Sequence, residues 1–153
     1  MATTSAYRPL DTHEQVAWRT FVETVDDLTR AIEEDLQPHD ITLGDYQVFV
    51  LLSEAEGRRM RMVDLATALH LSPSGLTRRL DGLCREGYVE RVPSSQDRRV
   101  MLAVLTDSGF AKLTEAYPTH LASVRRRIFD HCSSADVAVL GRVFSAIQAG
   151  LCS

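Results

Sequence analysis

The chain has 153 residues, of which 44% are hydrophobic and 25% are charged. This balance predicts one compact domain with an apolar core and argues against a disordered tail, a disulfide-stapled miniprotein or two large domains. The longest strongly apolar run, residues 48 to 52, is far shorter than the ~20 residues that cross a bilayer. The N-terminus lacks the charged and then apolar segment of a signal peptide. We therefore expect a soluble cytoplasmic protein without a membrane partner.

The charge of the chain is unevenly distributed. The net charge is -4, yet residues 58 to 99 carry nine arginines against five acidic residues. A basic middle in an acidic chain is typical of a DNA-binding module flanked by other elements, because local positive charge neutralises a phosphate backbone. On charge alone, a solvated basic face explains the pattern equally well.

Apolar periodicity predicts long helices at both ends of the chain. In residues 11 to 36 and 137 to 151, apolar side chains recur at spacings of three and four, which places them on one stripe of a helix. A further long helix starts at Thr106 or Asp107 and extends to about residue 131, with Pro118 inside it. A small domain cannot cover all of these apolar seams, so the pattern predicts a homodimer.

The middle of the chain has the pattern of a helix-turn-helix. Thr42 and Asp45 form a capping box before a central, strongly apolar helix, and a short helix follows at residues 63 to 69. Ser72-Pro73 is a hydroxyl N-cap with proline at the first helical position, so a new helix begins there. This recognition helix covers residues 73 to 86 and is stopped by Gly87.

A hairpin follows the second helix of this motif. Residues 88 to 92 and 100 to 105 are β-type runs separated by a polar turn, and residues 60 to 62 are short enough to form a third strand. The predicted fold class is therefore mainly α with a small β-wing (α+β), a winged helix-turn-helix. The predicted organisation is an N-terminal dimerisation helix at 1-40, a DNA-binding domain at 41-106, and C-terminal dimerisation helices at 107-153.

The outward face of the recognition helix and the hairpin turn supply the candidate DNA contacts. Residues near the start of a recognition helix reach base edges first, whereas arginines on a wing suit the negative minor groove. Asp97 is expected to shape the turn, and a carboxylate–guanidinium pair with Arg99 is one way to hold it closed. Arg79 and Arg85 are expected near phosphates or neighbouring helices. The candidate DNA-binding residues are Ser72, Ser74, Gly75, Thr77, Arg78, Arg79, Arg98 and Arg99.

These motifs together resemble the multiple-antibiotic-resistance regulator (MarR) family of bacterial winged-helix repressors. The resemblance covers nearly the whole chain and is most specific in the wing, where Asp97-Arg98-Arg99 precedes Leu105-Thr106 at a fixed distance. Ala103 stands where the family usually has a larger aliphatic residue. The resemblance implies a dimer formed by the first, fifth and sixth helices, a pseudo-palindromic double-stranded DNA operator, and a small-molecule pocket between the domains.

The same resemblance suggests what controls DNA binding. Small phenolic or other aromatic effectors release many family members from DNA, and the candidate pocket residues are Trp18, Tyr46, Tyr117 and His120. The alternative for each aromatic residue is an ordinary core position. Trp18, Asp64, Arg91 and Arg99 also resemble the urate-responsive branch, although the wider family has a structural salt bridge at the positions of Asp64 and Arg91.

Other functions remain as alternatives at this point. Cys132 follows three arginines whose positive charge favours a reactive thiolate, which is one route to a thiol-responsive regulator; Cys84 and Cys152 are the other thiols. Metal sensing would have to assemble scattered histidines. A winged-helix protein-interaction module that does not bind DNA is a further alternative. No phosphate loop or hydrolase motif occurs, so we expect no enzyme activity and no cofactor.

Overall fold

The computed structural model describes residues 8–151. Within this range most residues are helical, and a small antiparallel sheet accompanies the helices, as predicted. Cys152 lies outside the described residues. The helices are α1 (Thr12–Leu36), α2 (Leu43–Glu54), α3 (Met62–Ala68), α4 (Pro73–Arg85), α5 (Asp107–Arg127) and α6 (Ser134–Leu151), and the strands are β1 (Arg59–Arg61), β2 (Val89–Pro93) and β3 (Met101–Leu105).

The described residues divide into two compact units, one up to residue 31 and one from residue 32. The boundary lies inside α1, nine residues before the boundary predicted at residue 40. The second unit contains the last turn of α1 and every later element, so it includes the whole helix-turn-helix and the hairpin.

Helix starts follow the capping residues of the sequence. The hydroxyls of Thr42, Ser72 and Thr106 accept hydrogen bonds from the backbone amides three residues later, and the Thr42–Asp45 capping box is complete. The end of α5 is the main departure. This helix was expected to reach about residue 131, but Ile128 leaves the helical conformation (φ -122°, ψ -67°) and a short 3-10 turn, Phe129–His131, follows.

The sheet has the order β1-β3-β2, with both pairs antiparallel. The small strand predicted at residues 60 to 62 is observed one residue earlier, because Met62 already begins α3. In the central strand β3, Ala103 lies opposite Met60 on one side and Arg91 on the other, and its side chain is fully buried. The smaller side chain at this position therefore belongs to the packed interior.

The core of the second unit lies between α2, α4 and the sheet. Three fully buried side chains, Val48, Phe49 and Leu52, lie on α2, as expected for a helix that is apolar on nearly all faces. The other large, fully buried apolar side chains are Leu36, Leu65, Leu76, Leu80 and Val89. At the start of α5, Gly109 permits a close approach to the chain before β2. A Cβ at this position would lie 2.2 Å from the carbonyl oxygen of Tyr88, which no side chain tolerates.

A cluster of polar groups fixes the last turn of α1 to α5. The carboxylate of Asp35 accepts hydrogen bonds from the buried hydroxyl of Ser123 (2.6 Å) and from the Arg127 guanidinium (2.9 and 3.0 Å). Arg126 donates to the same carboxylate. The hydrogen bond from Ser123 is the largest contribution that holds the pKa of Asp35 below its ordinary value, although desolvation opposes it.

Arg91 joins strand β2 to the middle of α4. Its Nη2 atom donates to the carbonyl oxygen of Thr77 (2.7 Å) and to the carboxylate of Asp81 (2.8 Å). The family resemblance suggested a salt bridge between Asp64 and Arg91. In the structure Arg91 pairs with Asp81 instead. Asp81 is exposed, and its carboxylate is bound to the guanidinium of Arg91 on the neighbouring strand.

We predict that Arg91→Met lowers the free energy of unfolding by about 1–3 kcal/mol, because charge-assisted hydrogen bonds to a half-buried guanidinium are lost and Asp81 is left unpaired. Urea denaturation of the purified protein measures this change. Arg85→Met is the matched control, since Arg85 is an exposed residue of α4, the helix to which Arg91 bonds, and a surface substitution of this kind changes stability by less than about 0.5 kcal/mol. Equal stabilities of the two variants would contradict the prediction.

Candidate nucleic-acid interface

The first turns of α4 present a polar, exposed face. Ser74, Thr77 and Arg78 are exposed, whereas Leu76 and Leu80 of the same helix are buried in the core. The Thr77 hydroxyl donates to the carbonyl of Pro73 (3.0 Å), which leaves its oxygen able to accept from outside. Arg78 makes no hydrogen bond or ion pair within residues 8–151, so its five donors are available to a ligand.

Ser72 and Gly75 build the start of this helix. Ser72 Oγ accepts from the Gly75 amide at 3.1 Å and lies 3.2 Å from the Ser74 hydroxyl. A Cβ on Gly75 would lie only 3.1 Å from Ser72 Oγ, so the cap itself accounts for the glycine. Both residues were predicted as DNA contacts, and in the structure they define where the exposed face of α4 begins.

Arg79 differs from the other candidate contacts. It is half-buried, and its guanidinium covers the backbone of Gly44 near the start of α2: a Cβ on Gly44 would overlap Arg79 Nη1. Of the two positions expected for Arg79, near phosphates or near a neighbouring helix, the structure has the second. The absence of a side chain at Gly44 leaves the space that the Arg79 guanidinium occupies between α4 and α2.

The hairpin turn between β2 and β3 is held by backbone hydrogen bonds and by Asp97. The Ser94 amide donates to the Val100 carbonyl (2.8 Å), and Asp97 Oδ1 accepts from the Arg99 amide (3.0 Å). The carboxylate thus binds the backbone of Arg99, and no ion pair with its guanidinium occurs within the described range. Arg98 and Arg99 are both exposed. The wing consequently presents two unpaired guanidinium groups at its tip.

Shallow depressions connect the wing to α4. One, of about 300 Å³, is lined by Arg61, Val63 and Arg99, and another, of about 230 Å³, is lined by Val63, Pro73 and Thr77. Arg61 is exposed and was not among the residues predicted to contact DNA. The signal was present in the alternation Arg59-Met60-Arg61, because a strand with Met60 turned inward directs both arginines outward.

Three of the four candidate pocket residues lie on α2 and α5. The rings of Tyr46 and His120 pack at 4.2 Å between centroids, and burial raises the pKa of Tyr46, with Tyr117 adding to the effect. Burial lowers the pKa of His120, whose Nδ1 atom is buried and has no hydrogen-bond partner within residues 8–151. Tyr46 is itself a core residue, as the alternative interpretation held, and Tyr117 is half-exposed.

Trp18 belongs to the first unit. Its ring stacks on Phe21 at 6.1 Å between centroids, and more than half of its surface is exposed. The structure therefore gives Trp18 an exposed aromatic face on α1.

The described thiols are Cys84 on α4 and Cys132 after the 3-10 turn; both are half-buried and unpaired by disulfides. Arg126 and Arg127, which precede Cys132, donate to Asp35. Across residues 8–151, no group of three or more His, Cys, Asp or Glu side chains is arranged to hold a metal ion. In the same range no helix is long and apolar enough to cross a membrane.

Comparison with known proteins identifies the same architecture. A model of the MarR family matches residues 39–100. The crystal structure of AbsC, a MarR family transcriptional regulator from Streptomyces coelicolor, is 41% identical, with a TM-score of 0.90 over 95% of this chain and 98% of AbsC. Sco3205, a MarR family regulator from the same organism solved in complex with DNA, is 30% identical, with a TM-score of 0.92 over 97% of this chain and 93% of Sco3205.

A curated relative adds a named activity. The transcriptional repressor YetL of Bacillus subtilis is 26% identical over 124 residues, which cover 79% of this chain and 74% of YetL. These relatives are all named as transcriptional regulators or repressors. The winged helix-turn-helix, the free arginines on its exposed face and the identity to AbsC lead to one assignment: the chain belongs to the MarR family of transcriptional regulators.

Proposed function

We propose that the protein is a dimeric, sequence-specific DNA-binding repressor whose operator is a pseudo-palindrome and whose release is triggered by a small aromatic effector. The observation that carries the DNA-binding part is the state of the arginines. Arg58, Arg91, Arg126 and Arg127 are paired with carboxylates, whereas Arg78, Arg98 and Arg99 are exposed without such partners in the described part of the chain. Unpaired guanidinium groups on one recognition motif suit a polyanion.

Each element is proposed to bind one groove of the DNA. The major groove of B-DNA admits a helix, and the exposed residues at the start of α4, Thr77 and Arg78, suit base edges. Arginine is the side chain that binds guanine O6 and N7 with two hydrogen bonds. The wing, residues 88–105, carries Arg98 and Arg99 at its tip. Their positive charge suits the narrow and negative minor groove. Arg78 is thus proposed to recognise the base sequence. Arg98 and Arg99 are proposed to bind the DNA independently of its sequence.

Dimerisation is proposed from the exposed apolar surface of α1 and α6. Trp18 on α1 and Phe144 and Ile147 on α6 are each about half exposed in the single chain. Exposure of large apolar side chains to water is unfavourable, so a partner surface is expected to cover them. Most soluble oligomers are symmetric assemblies of identical chains, and we therefore propose a second copy of this chain as the partner. Two recognition helices related by a two-fold axis then require inverted half-sites about one helical turn apart, roughly 10 bp.

Effector control is proposed from the surroundings of His120. A buried ring nitrogen without a partner is unfavourable, and a ligand acid or phenol group would satisfy it. The aromatic rings of Tyr46 and Tyr117 suit an aromatic ligand. Repression is proposed because the relative YetL is named a transcriptional repressor. A protein bound to an operator can also block transcription without any further partner.

The first prediction separates the two classes of arginine. Arg78→Ala should weaken operator binding by about 1–3 kcal/mol and relax the preference at one base pair of each half-site. Arg98→Ala should weaken binding to operator and scrambled duplex by a similar factor and make the dependence of log K on log salt shallower. Fluorescence anisotropy over a salt series measures both effects. Equal loss of specificity in the two variants would show that the elements are assigned wrongly.

The second prediction concerns the dimer. Sedimentation equilibrium at low micromolar concentration should give a dimer, and Ile147→Asp should shift it towards an unstable monomer because a charge enters the apolar surface of α6. Gln148→Asp, an exposed position on the same helix, serves as the control and should leave the dimer intact. A stable, folded wild-type monomer at this concentration would rule out the proposed assembly.

The third prediction concerns the effector. Benzoate or 4-hydroxybenzoate should release the protein from operator DNA, and His120→Phe should raise the half-maximal concentration by about tenfold, the worth of one hydrogen bond. DNA affinity without effector should stay within about twofold. His131→Phe, at an exposed histidine, should respond like the wild type. If neither compound releases the wild type from DNA, this ligand class is not the effector. If release is identical in all three proteins, His120 does not bind the effector.

A further inference from the structure

The surface between the wing and α4 is continuous. The two depressions that border Arg99 and Thr77 share Met62 and Val63, the first two residues of α3. Val63 is strongly exposed, with 63% of its surface accessible. Arg61, the last residue of β1, lines the depression on the Arg99 side. Arg61 therefore lies on the surface that links the wing to the recognition helix.

The guanidinium of Arg61 is available to a ligand. Arg61 is exposed, and its side chain forms no hydrogen bond or ion pair with another residue in 8–151. Its backbone, in contrast, is fixed, because β1 pairs with the central strand and sets Arg61 opposite Leu102. An exposed, unpaired cation on a rigid strand loses little backbone entropy when it binds an anion.

We propose that Arg61 binds a phosphate of the DNA backbone strand that runs between the two grooves. This inference rests on the proposed DNA-binding function. A protein that places a helix in the major groove and a wing in the adjacent minor groove must straddle the phosphodiester chain that separates them. The surface in that position is the one that carries Arg61. Guanidinium groups bind phosphate oxygens through two parallel hydrogen bonds.

Arg59 provides a matched control on the same strand. It is also exposed, two residues before Arg61, but it does not line the depression that contains Arg99. Its Nε atom lies 3.1 Å from the position that a Cβ on Gly57 would occupy, so its side chain turns back along the loop before β1. Arg59 lines a more polar depression of about 480 Å³ with Asp64 and Asp97, which Arg61 also borders. Both arginines therefore share this acidic surrounding, and what distinguishes Arg61 is that it also borders the depression that contains Arg99.

The first experiment compares Arg61→Gln and Arg59→Gln by fluorescence anisotropy on operator and scrambled duplexes over a salt series. For Arg61→Gln we expect about 3- to 30-fold weaker binding to both duplexes, an unchanged ratio between them, and a slope of log K against log salt that is shallower by about 0.9. Arg61→Lys should recover most of the affinity, which excludes misfolding as the cause. Arg59→Gln should match the wild type.

The second experiment locates the phosphate. Each phosphate of the strand between the grooves is replaced, one at a time, by a neutral methylphosphonate. At one position the replacement should weaken DNA binding by the wild type but leave the affinity of Arg61→Gln unchanged. Equal behaviour of Arg61→Gln and Arg59→Gln, or a changed operator-to-scrambled ratio in Arg61→Gln, would overturn the inference while leaving the proposed function intact. Failure of the wild type to bind any duplex would overturn both.

Discussion

The pairing of β3 with a strand on each side is the constraint on which the proposed DNA-binding surface depends. Ala103 and Leu105 of β3 are buried, and the strand pairs with β1 and β2 at once. This arrangement fixes the wing and the start of α3 to a single sheet. Side chains far apart in the sequence, such as Arg61 and Arg99, consequently line one depression.

Arg91 extends the same constraint to the recognition helix. Its guanidinium bonds join β2 to the Thr77 carbonyl and to Asp81, so α4 and the wing are connected by polar contacts as well as by the apolar core. Rigid placement of both elements reduces the conformational entropy lost on binding. Some arginines thus hold the surface together, whereas others, such as Arg78 and Arg98, are exposed and have no partner among residues 8–151.

The sequence predicted the elements whose causes are local, and it missed contacts that depend on tertiary distance. The capping box at Thr42, the proline after Ser72 and the apolar run of β3 each determine an element within a few residues. The partner of Arg91, the packing of Arg79 on Gly44 and the position of Arg61 arise only when separate elements come together. The turn at Asp97 shows an intermediate case: its shape was predicted, but its carboxylate binds a backbone amide instead of a guanidinium.

Hydrogen–deuterium exchange of the full chain, free and bound to a duplex operator, tests most directly whether one surface formed by α4, the wing and the end of β1 binds DNA. Exchange of backbone amides slows where a ligand excludes water or suppresses local opening. We expect slower exchange at the start of α4, in residues 94–100 and at residues 61–63, with little change in the central turns of α2. Protection confined to other regions, with these three segments unchanged, would contradict it.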